Sequence, residues 1–483
     1  MLVAGNFLKF GCITIAGMLL SRNYSKSELG TYLQGVLLIA TISEIAAWGL
    51  PKAILFFGGI EKNRKNLILH ILIMIGFTAS LFGLLLWGLR DRIGNLFSNP
   101  ALKDLAFVMI LNLLFRTMNI ALSTIMVIIE KVNFMTAIYV ASSVINVATF
   151  AVLAHLKSPV INLFLCSFLL EAFQLILFLC VFLFAGKTIG YFQLDTKLMG
   201  RILAYSSPMM VNVLIIMAGR KLDSFLVSGF FVPEDYAVYS RGALELPFSQ
   251  MILVSIASLL MPEFSRLFHN KRHFDLTQLL SHEILKISLL IFPMFFGLLL
   301  VHRDLIVFLY SEKYVSSATV FLVYVLLVPI QLYAFDSILQ AFNKTIWVNV
   351  ASVAYVLTNL GIGLALIPYL GVLGPAIGVL CGTLVNSVIN LFLINKFLGN
   401  RFGDWLPWKN LGRVLFLSGI PVFFIWPIAR FLPTNIFERL CIESSVYYSS
   451  ALAILWHFKG IPAEYRESIV NMYKRKKLGF SRG

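Results

Sequence analysis

The chain has 483 residues, of which 59% are hydrophobic and 13% are charged, and its mean hydropathy is +0.87. Soluble proteins carry about 25% charged residues, so this composition excludes a water-soluble fold. The formal net charge of +16 at pH 7 fits three kinds of partner or signal: nucleic acid, anionic lipid, or membrane topology. At about 20 residues for each crossing, the apolar residues suffice for roughly fourteen transmembrane helices.

Apolar runs of about 17 to 25 residues, bounded by charged residues or by Gly and Pro, mark these helices along the chain. Their approximate limits are Val3–Ser21, Gly30–Leu50, Leu67–Leu89, Lys103–Ile128, Phe134–His155, Val160–Phe184, Arg201–Lys221, Tyr239–Met261, Ile284–Val301, Ala318–Ala341, Ile346–Pro368, Leu373–Lys396, Leu411–Phe431 and Ser444–Phe458. The predicted fold class is therefore an all-α polytopic membrane protein with about 14 transmembrane helices. The short connections between them leave no room for a soluble catalytic domain.

Lys and Arg residues fall unevenly on the two sides of these helices. One side collects 25 of the 39, including Lys9 at the N-terminus, while the opposite side collects 10 and four lie within or at the edges of helices. Because cytoplasmic loops carry the excess of Lys and Arg, we expect the N- and C-termini to be cytoplasmic. An even number of helices agrees with this orientation, and the net charge is chiefly a topology signal.

An internal repeat shapes the expected architecture. The pattern acidic-x-small-x-Tyr-x-x-Gly at residues 28–35 returns at residues 235–242, and residues between 131 and 146 are echoed between 344 and 359, an offset of 213. Such an offset predicts a repeat unit of six helices. Six is an even number, so both copies enter the membrane from the same side, as in alternating-access transporters with parallel repeats.

The predicted organisation follows from this repeat. We expect two six-helix lobes followed by a helical pair and a tail. Their limits are 1–199 for the N-terminal lobe, 200–398 for the C-terminal lobe, 399–461 for the two appended helices, and 462–483 for a basic cytoplasmic tail.

A few ionisable residues lie inside the predicted helices, where each costs at least about 2.5 to 3.5 kcal/mol on insertion scales and is a functional candidate by default. Arg116 lies near the middle of the fourth helix, on one face with Asn112 and Asn119. Glu171 and Gln174 lie on one face of the sixth helix. These polar faces predict a substrate cavity; the alternative is a buried structural pair that joins helices.

Further candidates lie nearer the helix ends. Arg220 and Arg241 are candidate substrate-binding residues, with solvated local ion pairs as the alternative. Glu44, Glu171 and Asp336 are candidates for binding a driving H⁺ or Na⁺, since a carboxylate can bind either ion. We expect no cofactor and no metal site.

Several short segments resemble polysaccharide transporter (Wzx-type) flippases. They are residues 20–22 (Leu-Ser-Arg), 28–32 (Glu-Leu-Gly-Thr-Tyr), 48–51 (Trp-Gly-Leu-Pro), 205–208 (Tyr-Ser-Ser-Pro), 221–223 (Lys-Leu-Asp) and 239–242 (Tyr-Ser-Arg-Gly). The resemblance implies membership of the multidrug/oligosaccharidyl-lipid/polysaccharide exporter superfamily, with two six-helix lobes around a central cavity. It also implies transfer of polyprenyl-diphosphate-linked sugars from the cytoplasmic to the outer leaflet of a bacterial inner membrane.

We therefore predict a transporter rather than an enzyme: a flippase for the lipid-linked repeat unit of an O-antigen, capsule or exopolysaccharide. The expected partners are the lipid-linked glycan and membrane lipid, with a glycan polymerase or glycosyltransferases as candidate protein partners and no nucleic acid. A cation-coupled multidrug exporter of the same superfamily and a membrane glycan polymerase or ligase are the rival predictions. The near-neutral balance of charges within the helices argues against a flippase for peptidoglycan precursors.

Overall fold

The computed structural model describes residues 2–61, 63–184, 193–244, 259–331, 336–399, 405–428, 435–461 and 466–467. In these ranges the secondary structure is helical, and they contain no β-strand. Ten of the helices found there are long and apolar enough to cross a membrane. The prediction of an all-α polytopic membrane protein is confirmed at this level.

The chain divides into two compact units: unit 1 comprises residues 1–241 and 359–375, and unit 2 comprises residues 242–358 and 376–483. The helices of the first 242 residues are α1 (Leu2–Asn23), α2 (Lys26–Ala46), α3 (Leu50–Gly58), α4 (Arg64–Leu96), α5 (Ala101–Ile128), α6 (Val132–His155), α7 (Val160–Phe184), α8 (Thr196–Phe230) and α9 (Pro233–Gly242). The limits of the lobes drawn from the sequence repeat stay predictions.

Short polar side chains fix where helices of unit 1 begin. At the start of α2, the Ser25 hydroxyl accepts from the Glu28 backbone N–H at 3.2 Å, while the Glu28 carboxylate accepts from the Ser25 N–H at 3.0 Å. This capping box satisfies two amides that a helix start leaves without partners. Asp195 caps α8 in a similar way by accepting from the Leu198 N–H at 3.0 Å.

The bundle of unit 1 is held by apolar packing. Helix α1 packs against α6, α5 packs between α4 and α7, and α2 lies against α5. Fully buried residues such as Ile54, Leu67, Ile71 and Leu122 form the core where α3, α4 and α5 meet. This core lies to one side of the polar faces of α5 and α7, which therefore remain available to line a cavity.

Unit 2 has its own core around one long helix. After helical residues 259–269, its elements are α10 (His273–Tyr310), a short 3₁₀ turn (Glu312–Tyr314), α11 (Ser317–Gln331), α12 (Asp336–Ala341), α13 (Thr345–Leu370, whose residues from 359 belong to unit 1), α14 (Leu373–Leu398), α15 (Trp408–Ile428) and α16 (Ile436–His457). Helices α15 and α16 pack against each other and against α10. Buried Ile291, Val414 and Leu455 join these three helices.

The second predicted helix, Gly30–Leu50, differs from the structure. Helix α2 ends at Ala46, and a separate helix α3 begins at Leu50. Gly49 at the junction has φ +68°, and a Cβ there would lie 2.8 Å from the carbonyl oxygen of Ser206. The close approach of α8 thus requires a turn with glycine at this position, which the apolar pattern does not reveal.

The last predicted helix, Ser444–Phe458, is longer in the structure, where α16 begins at Ile436. The charges that marked its predicted boundary lie inside the helix: Arg439 forms a salt bridge with Asp304, and Glu443 is buried. Pairing with α10 therefore allows charged residues in the first turns of α16.

Three other predicted helices fall partly outside the described residues. Those not described are residues 245–258 of Tyr239–Met261, 429–431 of Leu411–Phe431 and 332–335 of Ala318–Ala341. The described parts of the latter form α11 and α12. Of the predicted basic tail, only residues 466–467 are described.

The turns that end helices recur along the chain with a nearly constant spacing. Three pairs of residues with positive φ are Ser98 and Ser311, Glu130 and Asn343, and Lys157 and Gly371. The members of the first two pairs are 213 residues apart and those of the third 214. Residues with positive φ commonly end helices, and the spacing of these pairs agrees to within one residue with the 213-residue offset of the sequence repeat.

Candidate substrate cavity

A polar cavity of about 220 Å³ lies inside unit 1, between α1, α2, α5, α6 and α7. Its walls are formed by Lys9, Cys12, Ile13, Tyr32, Val36, Ile39, Asn112, Arg116, Ser142, Ser143, Asn146, Phe164, Ser167, Leu170, Glu171 and Gln174. Four of the residues singled out from the sequence are among them: Asn112, Arg116, Glu171 and Gln174. The polar faces predicted for the fourth and sixth helices therefore line one cavity, from α5 and α7.

Asn112 fastens α5 to α7. Its amide nitrogen donates to the Val108 carbonyl at 2.9 Å and to the Phe164 carbonyl on α7 at 3.0 Å. The side chain is buried and its two donor hydrogens are satisfied by protein, so it acts as a polar bond between helices. The geometry of Asn112 therefore agrees with the alternative prediction, in which the residue joins two helices and has a structural role.

Glu171 is held by Asn119 on the facing helix. The Asn119 amide nitrogen donates to one carboxylate oxygen of Glu171 at 2.6 Å and to its backbone carbonyl at 2.9 Å. The other carboxylate oxygen lies 3.9 Å from an Arg116 guanidinium nitrogen. Glu171 is therefore an oriented anion with one oxygen fixed and the other turned toward Arg116.

Arg116 is only loosely neutralised. A separation of 3.9 Å is an ion pair but too long for a hydrogen bond. Its Nε is buried and has no hydrogen-bond acceptor among the described residues, while 41% of its side chain remains accessible. The guanidinium therefore retains donors for a ligand that carries several oxygens, such as a phosphate or a carboxylate.

Lys9 is a second cation of the cavity, and the sequence analysis missed it as a site residue. It lies on α1, with its ammonium nitrogen 4.8 Å from the centre of the Tyr139 ring. Lys9 is part of a helix and lines the cavity, while the cytoplasmic position of the N-terminus stays a prediction. The available signal was a lysine inside an apolar run, the criterion already applied to Arg116.

Neutral polar groups complete the wall. Ser142, Ser143 and Asn146 extend along α6, and Ser167 lies on α7. The Ser142 hydroxyl is buried with no hydrogen-bond partner among the described residues. With Lys9 and Arg116 positive and Glu171 negative, the lining carries one net positive charge together with several hydroxyl and amide groups.

The remaining candidates, Asn119 among them, do not line this cavity. Glu44 is half-buried on α2, Arg220 is exposed on α8, and Arg241 is half-buried at the end of α9. Asp336 belongs to unit 2, where its carboxylate accepts from the Asn390 amide at 2.6 Å. Asn390 also donates to Asn386 at 2.8 Å, so Asp336 lies in a small polar cluster on α12 and α14.

An apolar helical bundle with a cavity lined by hydroxyls, amides, two cations and one carboxylate has the construction of a membrane transporter. Known structures show the same fold. The lipid II flippase MurJ in its inward closed conformation matches with a TM-score of 0.72 and 16% identity, covering 97% of this chain and 100% of the other. An inward-facing multidrug resistance MATE family transporter of the MOP superfamily matches with a TM-score of 0.65 and 15% identity. The match covers 81% of this chain and 94% of the other. A MOP superfamily transporter from Pyrococcus furiosus matches with a TM-score of 0.55 and 13% identity, covering 82% of this chain and 93% of the other.

The family is shown by sequence. Residues 19–319 match the family described as polysaccharide biosynthesis proteins, and the chain belongs to that family. No curated protein matches the chain. The predicted resemblance to polysaccharide transporters is confirmed by the family match and by the MOP superfamily fold.

Proposed function

We propose that this protein is a flippase that carries a polyprenyl-diphosphate-linked oligosaccharide across a bacterial inner membrane by alternating access. The observation that carries the proposal is the cavity of unit 1, where Lys9 and Arg116 face a hydroxyl- and amide-rich wall in a chain of the polysaccharide biosynthesis family. A diphosphate needs cationic donors, and a glycan needs many neutral hydrogen-bonding groups. The cavity offers both.

Fourteen helices with both termini cytoplasmic are part of the proposal. Ten helices pass the criteria of length and apolarity. The additional four are α1, α16, the α11 and α12 pair, and a proposed helix in the part of Tyr239–Met261 that follows α9, which ends at Gly242. Helices α1 and α16 have 22 residues each, which at 1.5 Å per residue is about 33 Å and matches the apolar thickness of a bilayer.

In this mechanism Arg116 binds the diphosphate of the substrate, with Lys9 as a second cation. The loose contact between Arg116 and Glu171 suits an exchange in which substrate oxygens take the place of the carboxylate. Gln174 and Asn146 provide hydrogen bonds to the glycan. The lipid chain stays in the bilayer during transfer.

The driving ion, H⁺ or Na⁺, is assigned to a carboxylate that substrate binding affects. Glu171 is the best placed of the three candidates, because its free oxygen faces Arg116 and its other oxygen is held by Asn119. A substrate that engages Arg116 leaves Glu171 without its cation, and a proton or sodium ion then restores the charge balance. Glu44 and Asp336 remain alternative ion-binding residues.

A multidrug exporter is the closest rival, and two observations favour the flippase. The family match is to polysaccharide biosynthesis proteins. The fold match to the lipid II flippase covers 97% of the chain, against 81% for the drug transporter. The latter share leaves out about a fifth of the chain, so the flippase fold accounts for more of its length.

Reconstitution tests the substrate class directly. The purified protein is incorporated into liposomes that contain a polyprenyl-diphosphate oligosaccharide with a fluorescent sugar, and a membrane-impermeant quencher reports the sugars that reach the outer leaflet. We expect faster equilibration than in protein-free liposomes, and a further increase when a proton or sodium gradient is applied. Parallel liposomes loaded with ethidium test drug export.

The two assays distinguish a flippase from a multidrug exporter. Transfer of the labelled glycolipid with no ethidium export supports the flippase. Ethidium export with no glycolipid transfer, from protein that is folded and monodisperse, contradicts it.

A further inference from the structure

A second cavity, of about 230 Å³, lies in unit 2 and is cationic. It is formed where the first turn of α15, the C-terminal end of α16 and α10 meet. Its walls are Leu285, Asn410, Arg413, Lys459, Gly460, Ile461 and Arg466. The positive end of the α15 dipole adds to the three cationic side chains. The cavity is separate from the substrate cavity of unit 1 and has no role in the mechanism proposed above.

The backbone around this cavity is fixed by close packing. The Gly460 amide donates to the Leu455 carbonyl at 2.8 Å, which ends α16 with Lys459 in the left-handed conformation. A Cβ at Gly460 would lie 3.0 Å from Leu417 on α15, so the turn sits directly against that helix. On the preceding segment, the Trp405 indole donates to Asn395 at 2.7 Å. Lys459 is thus presented by a fixed turn.

Within the described residues, the cations of the cavity form no salt bridge. No salt bridge involves Arg413, Lys459 or Arg466 in the described part of the chain, and Arg466 Nε is buried there without a hydrogen-bond acceptor. The nearest acid on α10 in sequence, Glu283, is engaged by Lys286, with 3.6 Å between the ammonium and a carboxylate oxygen. Three cations that converge, with no paired anion among the described residues, form a site that an external anion can complete.

Aromatic residues place the cavity at the level of lipid headgroups. Trp408 begins α15 and is 53% exposed, and Trp456 lies in the last turn of α16 with 39% exposed. Exposed tryptophans at helix ends are characteristic of the membrane–water interface. On the predicted topology this is the cytoplasmic interface, where anionic lipids attract basic residues.

We propose that the cavity lined by Arg413, Lys459 and Arg466 binds the phosphate of an anionic phospholipid headgroup. The Arg466 guanidinium, which lines the cavity, supplies hydrogen bonds to the phosphate, while Arg413 and Lys459 supply charge. The apolar surfaces of α10 and α15 accommodate the acyl chains. This lipid fastens α15 and α16 to α10 from the headgroup side.

Native mass spectrometry of the full-length protein in detergent tests this site, with titrations of phosphatidylglycerol and phosphatidylcholine. The site variant is Arg413→Gln/Lys459→Gln/Arg466→Gln. The matched control, Lys52→Gln/Lys197→Gln/Lys271→Gln, removes the same charge from exposed positions on the same predicted side. We expect the site variant to bind phosphatidylglycerol about tenfold more weakly than the parent and the control to change by less than about twofold.

Each outcome decides the question. Selective loss in the site variant supports the proposal. Equal binding by the site variant and the parent, or an equal loss in both variants, overturns it, since the charge effect is then absent or diffuse. Full displacement of the lipid by inorganic phosphate at about 10 mM also overturns it, because the site then takes a soluble anion. If the triple variant does not fold, the single change Arg413→Gln, at an exposed residue, decides by the same comparison with Lys197→Gln.

Discussion

The Asn119 side chain on α5 donates two hydrogen bonds to Glu171 on α7, one to the carboxylate at 2.6 Å and one to the backbone carbonyl at 2.9 Å. The double contact fixes both the helix pair and the direction of the carboxylate. It leaves the second carboxylate oxygen facing Arg116 at 3.9 Å. One amide therefore connects the packing of the bundle to the electrostatics of the cavity.

Replacement of Asn119 by Ala tests this connection. The loss of a hydrogen bond to a charged group is expected to destabilise the protein by about 1 to 2 kcal/mol. Thr124→Ala is the control on the same helix, because among the described residues its hydroxyl donates only to the Ile120 carbonyl one turn away. Thermal unfolding in detergent should show a clear decrease for Asn119→Ala and little change for Thr124→Ala. Equal stability of the two variants would mean that the Asn119 contact is not maintained in the protein.

Arg116 is the residue on which the proposed substrate binding depends most. Arg116→Ala is expected to reduce glycolipid transfer by about tenfold or more, while Arg116→Lys retains part of it because the charge remains and the planar fork does not. The melting temperature should change little, since the guanidinium is accessible and only loosely paired. Lys197→Ala, at an exposed position outside the cavity, is the control. Full transfer by Arg116→Ala at normal protein level would remove this residue from the site.

Lys9 separates the cavity assignment from a pure topology role. If Lys9 helps to bind the diphosphate, Lys9→Ala should weaken binding of polyprenyl diphosphate by about fivefold, or roughly 1 kcal/mol, and Lys9→Arg should restore it. Native mass spectrometry of the detergent-purified variants with this ligand provides the measurement. An N-terminal reporter fusion checks orientation at the same time. Inverted orientation with unchanged affinity would identify Lys9 as a topology determinant alone.

The polar stripes were predictable because helical spacing and the cost of burying charge act locally. Spacings of three and four residues placed Asn112, Arg116 and Asn119 on one face of α5, and the structure turns that face toward Glu171. Which partner each residue meets depends on helix packing, and sequence spacing does not contain that information. Glu44 satisfied the same local criterion as Glu171 yet does not line the cavity.

The ends of the helices were predictable where an apolar run stops at a turn of the chain. They were less predictable where a contact with a residue distant in sequence sets the end of the helix. The break between α2 and α3 depends on Gly49 lying against Ser206, about 157 residues away in sequence. The early start of α16 depends on the pairing of Arg439 with Asp304. Neither contact can be predicted from the hydropathy of the neighbouring residues.

Two glycines in different surroundings, Gly30 and Gly88, provide a test of helix packing that does not depend on transport. A Cβ on Gly30 of α2 would clash with the carbonyl oxygen of Pro233, a backbone atom that cannot rotate away. For Gly88 of α4, the described residues place no atom outside its own helix backbone and chain neighbours within 4 Å of the same position. Because Ala is favoured over Gly by about 1 kcal/mol in a helix, Gly88→Ala should be neutral or slightly stabilising.

Gly30→Ala has the opposite sign. The clash forces α2 away from the start of α9, and overpacking of this kind costs about 1 to 3 kcal/mol, which exceeds the gain in helix propensity. Thermal unfolding of the two purified variants against the parent protein measures the difference. A melting temperature of Gly30→Ala at or above that of the parent would show that α2 and residue 233 do not approach this closely. Because neither glycine lines the cavity, the result bears on the packing of unit 1 alone.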